Sequence, residues 1–277
     1  MFNGIEASEK HVLAGSFDQL FCYVNIERDE GENMKNWKIS KRLQTIAELI
    51  PDHVKVADIG GDHAFLLIQL AKEGRLLRGI VGEVNRGPFE NAKRNIRQMG
   101  VQDVVDVRLG DGLSVFDQDE VDYLVLAGMG GSLIVDILER GKAKLKPIQG
   151  MVLQPNLNAK CVRAWLQKNH WRLVEETIVE EANHLYEILL AKPGEDPALY
   201  QDSFIQEELL LEIGPLLWKQ KHPLLLKKLT EAFQRKVAVV QQLSQGTTSA
   251  AKQKWMVEQK KMKEFERVIQ CLSKVMS

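Results

Sequence analysis

Acids and amides recur where apolar, strand-like runs give way to glycine. Val54-Lys55-Val56-Ala57-Asp58-Ile59 runs into Gly60-Gly61-Asp62-His63, and the run from Gly79 ends Gly82-Glu83-Val84-Asn85. A run closing at Leu109 is followed by Gly110-Asp111-Gly112, another ends Ala127-Gly128-Met129-Gly130-Gly131, and a fifth ends Gln154-Pro155-Asn156. Each feature alone has a plain structural use. Gly60-Gly61 makes a tight turn, Asp62 can cap a following helix, His63 can serve a helix start, and Asp111-Gly112 is a common turn pair. Together they outline a ligand site, because open α/β sheets bind ligands outside the carboxyl ends of their strands.

The acids decide which ligand. A dinucleotide site needs G-x-G-x-x-G so that a helix N-terminus can receive a pyrophosphate. Here Gly60-Gly61 is followed by Asp62, with no third glycine in register, and a carboxylate there would repel phosphate. S-adenosylmethionine has no phosphate and carries a sulfonium and an ammonium, which acids favour. Gly60 and Gly61 let backbone approach its methionine part, Glu83 is placed for both ribose hydroxyls and Asp111 for the adenine amine, and Asp58, His63, Val84 and Gly112 belong to the same expected cofactor set. Ala127, Gly128 and Met129 complete the expected cofactor set.

The elements that must position these residues follow from periodicity. Ile39, Leu43, Ile46, Ala47 and Ile50 recur at helical spacing up to Pro51. Strands are expected over 54–59, 79–84, 103–109, 122–127 and 150–153, and helices over 63–72, 88–99, 132–145 and 159–169. Two closing strands, 171–179 and 185–191, flank a polar turn at 180–183. Repeated β-α-β units imply a doubly wound, mainly parallel α/β sheet of Rossmann-like type. After Pro193 the chain becomes Leu, Lys, Gln and Glu with no strand signal. It reads as two or three long helices broken near His222-Pro223 and Ser244-Gln245-Gly246, an antiparallel, coiled-coil-like hairpin. The expected domains are therefore 34–195 and a helical 196–277.

Composition sets the outer bounds. The 277 residues are 44% hydrophobic and 27% charged, with a formal net charge of -1, so no global field marks a nucleic-acid or membrane partner. The distribution is uneven. Residues 1–33 hold 2 Lys/Arg against 7 Asp/Glu, whereas 200–277 hold 13 against 8, a net of +5. The acidic leader has no clean period and is expected to be disordered or a mis-called extension. Glu-Gly-Glu-Asn before Met34 is encodable by a purine-rich ribosome-binding stretch, which makes Met34 a candidate start. Cys22, Cys161 and Cys271 lie far apart and match no metal or disulfide spacing, as expected for free thiols in a reducing cytoplasm. No apolar run approaches the roughly 20 residues of a membrane helix, and no signal peptide, metal cluster or obligate protein partner is read from the chain.

Residues from about Ile39 to Pro193 resemble the bacterial tRNA adenine-22 N1-methyltransferases, the TrmK-like family. The resemblance rests on Ser40-Lys41-Arg42-Leu43, Ala57 to Ala64, Gly82 to Phe89, Gly110 to Leu113, Ala127 to Gly131 and Leu153-Gln154-Pro155-Asn156. The Gly-Met-Gly-Gly and Gln-Pro-Asn segments are the specific ones. Gly61, Phe65 and Leu67 depart from the family's usual Ser, Tyr and Pro. The resemblance implies methyl transfer from S-adenosylmethionine to N1 of one tRNA adenine, with tRNA as partner and the helical tail helping to hold it. Lys227, Lys228, Arg235, Lys236, Lys252, Lys254, Lys260 and Lys261 are then candidates for phosphate contact. Asp62 becomes the candidate carboxylate beside the reacting base, and Asn156 the candidate for orienting it. Two alternatives stay open at this level: a methyltransferase with another substrate, and a non-catalytic RNA-binding protein of the same fold.

Overall fold

The computed structural model describes residues 38–245 and 248–276; the leader 1–33 and Cys22 lie outside the described residues. Among the described residues one seven-stranded sheet runs β3-β2-β1-β4-β5-β7-β6. Its strands are β1 (Val54–Ile59), β2 (Leu76–Glu83), β3 (Val105–Leu109), β4 (Tyr123–Gly130), β5 (Gly150–Leu157), β6 (Trp171–Glu181) and β7 (His184–Pro193). The first five pair in parallel, and β7 and β6 close the edge antiparallel. Strand order reverses between β1 and β4, so the crevice that a doubly wound sheet offers opens at their carboxyl ends.

The helices divide by face. α1 (Lys41–Glu48), α2 (Phe65–Lys72) and α3 (Arg86–Gln98) bury Ile46, Leu66, Leu70, Ala92 and Ile96 with Val56, Val125 and Val152 of the sheet. α4 (Gly131–Arg140) and α5 (Ala159–Lys168) bury Ile134, Ile137, Val162 and Trp165 against Ala57, Leu124, Leu126 and Leu153. Adjacent strand residues thus serve opposite cores, which is why β4 reads as an unbroken apolar run.

Several boundaries differ from expectation. α2 does not begin at His63. A 3-10 turn spans Asp62–Ala64, and His63 (φ 66°) and Ala64 (φ 62°) are left-handed, so α2 starts at Phe65 and Asp62 is not its N-cap. The helix expected over 132–145 stops at Arg140, because Gly141 lies against Leu113 and a 3-10 turn follows. β4 and β5 run three and four residues past their expected ends. The Gly-Met-Gly and Gln-Pro-Asn segments are strand extensions rather than loops, with register shifts at Ala127/Met129 and Met129/Gly130. Such irregular pairing accommodates Pro155, which has no N–H to give. The turn between β6 and β7 shrinks to Ala182 and Asn183, both at positive φ, as a two-residue hairpin requires.

The tail is helical, as expected, but begins with two short helices, α6 (Glu207–Ile213) and α7 (Pro215–Gln220), ahead of α8 (Leu225–Ser244) and α9 (Ser249–Met276). Leu209, Ile213, Leu217, Trp218, Leu225, Leu229, Phe265, Val268 and Leu272 form its core, which reaches Ile178 of β6. A buried ionic joint ties it to the sheet. Arg163 of α5, fully buried, donates from Nε to Glu176 of β6 (2.6 Å), from Nη1 to the Leu211 carbonyl (2.8 Å) and from Nη2 to Glu187 of β7. Lys228 of α8 donates to Glu187 (2.7 Å) and to the Ile213 carbonyl (2.6 Å). The other Glu176 oxygen accepts from the amides of Leu216 and Leu217. Cations therefore take the orphan carbonyls ending α6, and a carboxylate takes the orphan amides starting α7. Lys228 is accordingly withdrawn as a phosphate contact, since its ammonium is consumed inside the protein.

Candidate active site

The turn after β1 is shaped by two glycines. Gly60 adopts φ +68°, and a side chain there would strike Met129 Cε, so β4's extension lies directly against the β1 turn. A methyl group on Gly61 would overlap the Asp58 carboxylate. Asp58 is buried, and burial pushes its carboxyl up to about 7 against the opposing pull of Arg42. Such a group is poised between its charged and neutral forms at neutral pH, and a cation placed beside it would draw it to the charged form. Asp62 enters this turn by its backbone; its side chain lies outside the described residues. The His63 ring stacks on Phe65 at 5.1 Å and its carbonyl accepts from Asn95 Nδ2 at 3.1 Å, which binds the turn to α3.

The neighbouring strands supply the rest of a pocket wall. Glu83, the last residue of β2, is buried, whereas Val84 and Leu109 leave 61% and 51% of their surfaces open. Glu83 pairs with Leu109 across β2 and β3, and its carbonyl accepts from the Gly110 amide at 2.8 Å. Val84 and Leu109 thus offer apolar surface next to a strand end that carries a buried carboxylate, the kinds of group a nucleoside needs. Asp111 lies on the open surface beyond it in an ion pair with Arg140 of α4. An exposed pair of this kind is worth about 0–1 kcal/mol, so a ligand amine can compete for the carboxylate.

The fifth and fourth strand ends are bonded to each other. The buried Gln154 Oε1 accepts from Arg42 Nη1 and from the Gly128 amide (3.1 Å). Gln154 Nε2 donates to Asn156 Oδ1 (3.0 Å), and Asn156 Nδ2 donates to the Gly128 carbonyl (2.7 Å). Asn156 itself is exposed and thus presented to the crevice. Gly131 begins α4 where any side chain would meet the Leu157 and Asn158 carbonyls, so the β5 exit packs tightly on the β4 exit. Asp58, Gly60, Gly61, His63, Gly128, Met129 and Asn156 stand at one end of the sheet, with Glu83 and Val84 at the β2 exit and Asp111 and Gly112 beyond β3. Arg42, not among the expected site residues, joins this network from α1; its sequence signals are its place in Ser40-Lys41-Arg42-Leu43 and on the buried face of an amphipathic helix.

The sequence profile of the family described as tRNA (adenine(22)-N(1))-methyltransferase, TrmK, matches residues 56–267. A Bacillus subtilis protein named tRNA (adenine(22)-N(1))-methyltransferase is 41% identical over 222 residues, covering 80% of this chain and 92% of that protein. The crystal structure of the B. subtilis m1A22 tRNA methyltransferase TrmK superposes with a TM-score of 0.79 at 40% identity, covering 84% of this chain and all of that one. A Streptococcus pneumoniae protein crystallised with S-adenosyl-L-methionine superposes with a TM-score of 0.73 at 31% identity, over 84% of this chain and all of that one.

Proposed function

The chain belongs to the tRNA (adenine(22)-N(1))-methyltransferase family, and from that premise we propose that it methylates N1 of adenine 22 in tRNA, using S-adenosylmethionine. The observation that carries the reading is the hydrogen-bonded union of the β4 and β5 exits beside the Asp58–Gly61 turn. It sets an amide at the sheet end where the Asp58 carboxylate and the Gly60-Gly61 turn also lie. When bound, S-adenosylmethionine supplies an electrophilic methyl group on a sulfonium.

The residues fit that ligand. Glu83 has the charge and burial to hold two ribose hydroxyls, Val84 and Leu109 can cover an adenine face, and Asp111 can take its amine. Asp58 offers charge to the ammonium, and the bare Gly60-Gly61 backbone admits the methionine part.

Adenine N1 has a free lone pair, so no base is needed to deprotonate it, and the enzyme's task is alignment. Positioning of this kind is worth several kcal/mol. The methylated base becomes cationic, and a carboxylate nearby stabilises the charge as it develops. Asp62 is assigned that role from its backbone place, and Asn156 the role of holding the adenine edge. The target base must leave its stack, at a cost of a few kcal/mol. Exposed Arg235, Lys252, Lys254 and Lys260 on α8 and α9 make the 196–277 domain the phosphate-facing part. No helix among the described residues is long and apolar enough to cross a membrane, and we place the enzyme with its tRNA in the cytoplasm.

The test is methyl transfer to an unmodified tRNA transcript carrying adenine at position 22, read by mass spectrometry and by primer extension. A stop at 22 with 1-methyladenosine, lost when guanine replaces that adenine, is the expected result. Cofactor binding without transfer would redirect the search to another substrate.

A further inference from the structure

Arg42 belongs to a segment, Ser40-Lys41-Arg42-Leu43, that the catalytic reading leaves without a task. It stands on the first turn of α1, where Ser40 caps the helix by accepting from the Leu43 amide (3.3 Å) and Glu181 at the end of β6 accepts from the Arg42 amide (2.8 Å). The side chain is buried, with its guanidinium 5.2 Å from the Tyr186 ring centroid and one nitrogen on Gln154. A buried cation at an active-site wall needs a use, and the hydrogen-bond chain beyond it supplies one.

A side-chain amide can turn over and exchange its oxygen for its nitrogen. The chain Arg42–Gln154–Asn156–Gly128 removes that freedom. A guanidinium only donates, and so does the Gly128 backbone N–H; both face the same Gln154 atom, which must be the oxygen. Gln154 then points its nitrogen at Asn156, whose facing atom must be its oxygen. The far end agrees independently, because the Gly128 carbonyl only accepts and so must face the Asn156 nitrogen. Both ends of the relay are groups of fixed polarity, so neither amide has an alternative orientation. What remains on Asn156 is one lone pair on Oδ1 and one N–H on Nδ2, each at a set place on the open surface.

We propose that Arg42 is a positioning residue: together with the Gly128 backbone it holds Gln154 and Asn156 in one orientation, and so sets the edge of the base that the site receives. The proposal rests on the methyltransferase reading above. On the edge away from N1, an adenine presents its N6 amine donor next to the N7 acceptor, whereas a six-oxo purine presents two acceptors there, so an amide reading that edge leaves the N1 lone pair free to react. A polarity-locked amide distinguishes them, whereas a freely turning amide would not. Removing Arg42 leaves the Gly128 backbone as the only group of fixed polarity holding the two amides, so their orientation loses the stronger of the two donors on Gln154.

The decisive variant is Gln154→Glu. A carboxylate keeps, and strengthens, the bonds from Arg42 and Gly128, so a purely structural role for Arg42 predicts a sound enzyme. It has no N–H for Asn156, so the relay is cut. The relay predicts a fall in kcat of about 10- to 100-fold, the scale of losing a positioned contact, with cofactor Kd and tRNA KM within about threefold. Arg42→Met is the companion, expected to lower kcat similarly; its melting curve and calorimetric cofactor binding check that it folds. Wild-type kcat in Gln154→Glu, beside an active unaltered enzyme, overturns the relay while leaving the methyltransferase reading intact. An unaltered protein that binds cofactor but methylates no adenine 22 takes down that reading, and the relay's purpose with it.

Discussion

Replacing Arg163 with methionine removes the centre of the joint between sheet and tail, and the structure sets the size of the effect. The variant leaves Glu176 and Glu187 buried without the guanidinium, and the Leu211 carbonyl without its donor. Removing one partner of a buried ion pair costs about 3–5 kcal/mol. Two compensations argue for the lower end: Glu176 keeps the Leu216 and Leu217 amides, and Glu187 keeps Lys228. Burial works against the Glu187 charge, but Lys228 and Arg163 together hold its carboxyl below the usual range. A loss of about 3 kcal/mol should lower Tm by roughly 6–12 °C for a chain of this size. Urea titration followed by far-UV circular dichroism, with a thermal melt alongside, measures both. The tail should also lose cooperativity with the sheet, so that tryptophan fluorescence, to which Trp218 and Trp255 of the tail contribute, and the dichroism signal no longer give coincident transitions. A destabilisation under about 1 kcal/mol with coincident transitions would show that apolar packing, not the ionic joint, holds the tail.

Other expectations concern the site. Glu83→Ala should weaken cofactor binding by about 1.5–3 kcal/mol, the scale of hydrogen bonds to a charged group, read by calorimetry; an unchanged Kd would remove Glu83 from the ribose. Asp62→Ala should lower turnover more than cofactor affinity, and equal turnover would take Asp62 out of the chemistry. Asp58 has a folded-state pKa raised to about 7, and a bound ammonium should draw it down. Cofactor binding near or below neutral pH should then release protons, and affinity should rise roughly 3- to 10-fold from pH 6 to 8, given that one pKa unit is a tenfold effect. Calorimetry in buffers of different ionisation enthalpy tests this, and Asp58→Asn should abolish it. Without ligand, the sign for stability is the reverse: the Asp58 contribution is full below 3.8 and is lost as pH rises through about 7. His222 is pushed below 6.5 by burial and by Lys228, so its contribution is present above 6.5 and lost as pH falls below it. His222→Gln should flatten the acid side of a Tm-against-pH curve.

The parts of this fold that were legible in the sequence are those set by local pattern. Strands buried on both faces, glycines at their exits and a helical tail all follow from periodicity and turn chemistry. The strand ends were not legible. Glycine and proline in Gly128-Met129-Gly130 and Gln154-Pro155-Asn156 read as breakers, yet irregular β4–β5 pairing carries both strands through them. The left-handed His63 and Ala64 were equally hidden, since neither residue type announces positive φ. Arg163 carries no signal in the sequence, and Lys228 reads there as a phosphate contact, because their partners lie on other elements. Arg42 stands in a segment that carries the resemblance, but nothing near it in the chain reveals Gln154 or Asp58 as its partners.

The bonds made by α1 also have a meaning in time. Arg42 meets Gln154 across 112 residues of chain and Glu181 across 139. At about 5–20 residues per second of synthesis, the first helix waits on the order of 10 s before its partners have even been made. Throughout that interval α1 lacks the strand ends that hold it. The nascent chain therefore cannot anchor its first helix in full until the β6–β7 hairpin has left the ribosome and closed the sheet's edge.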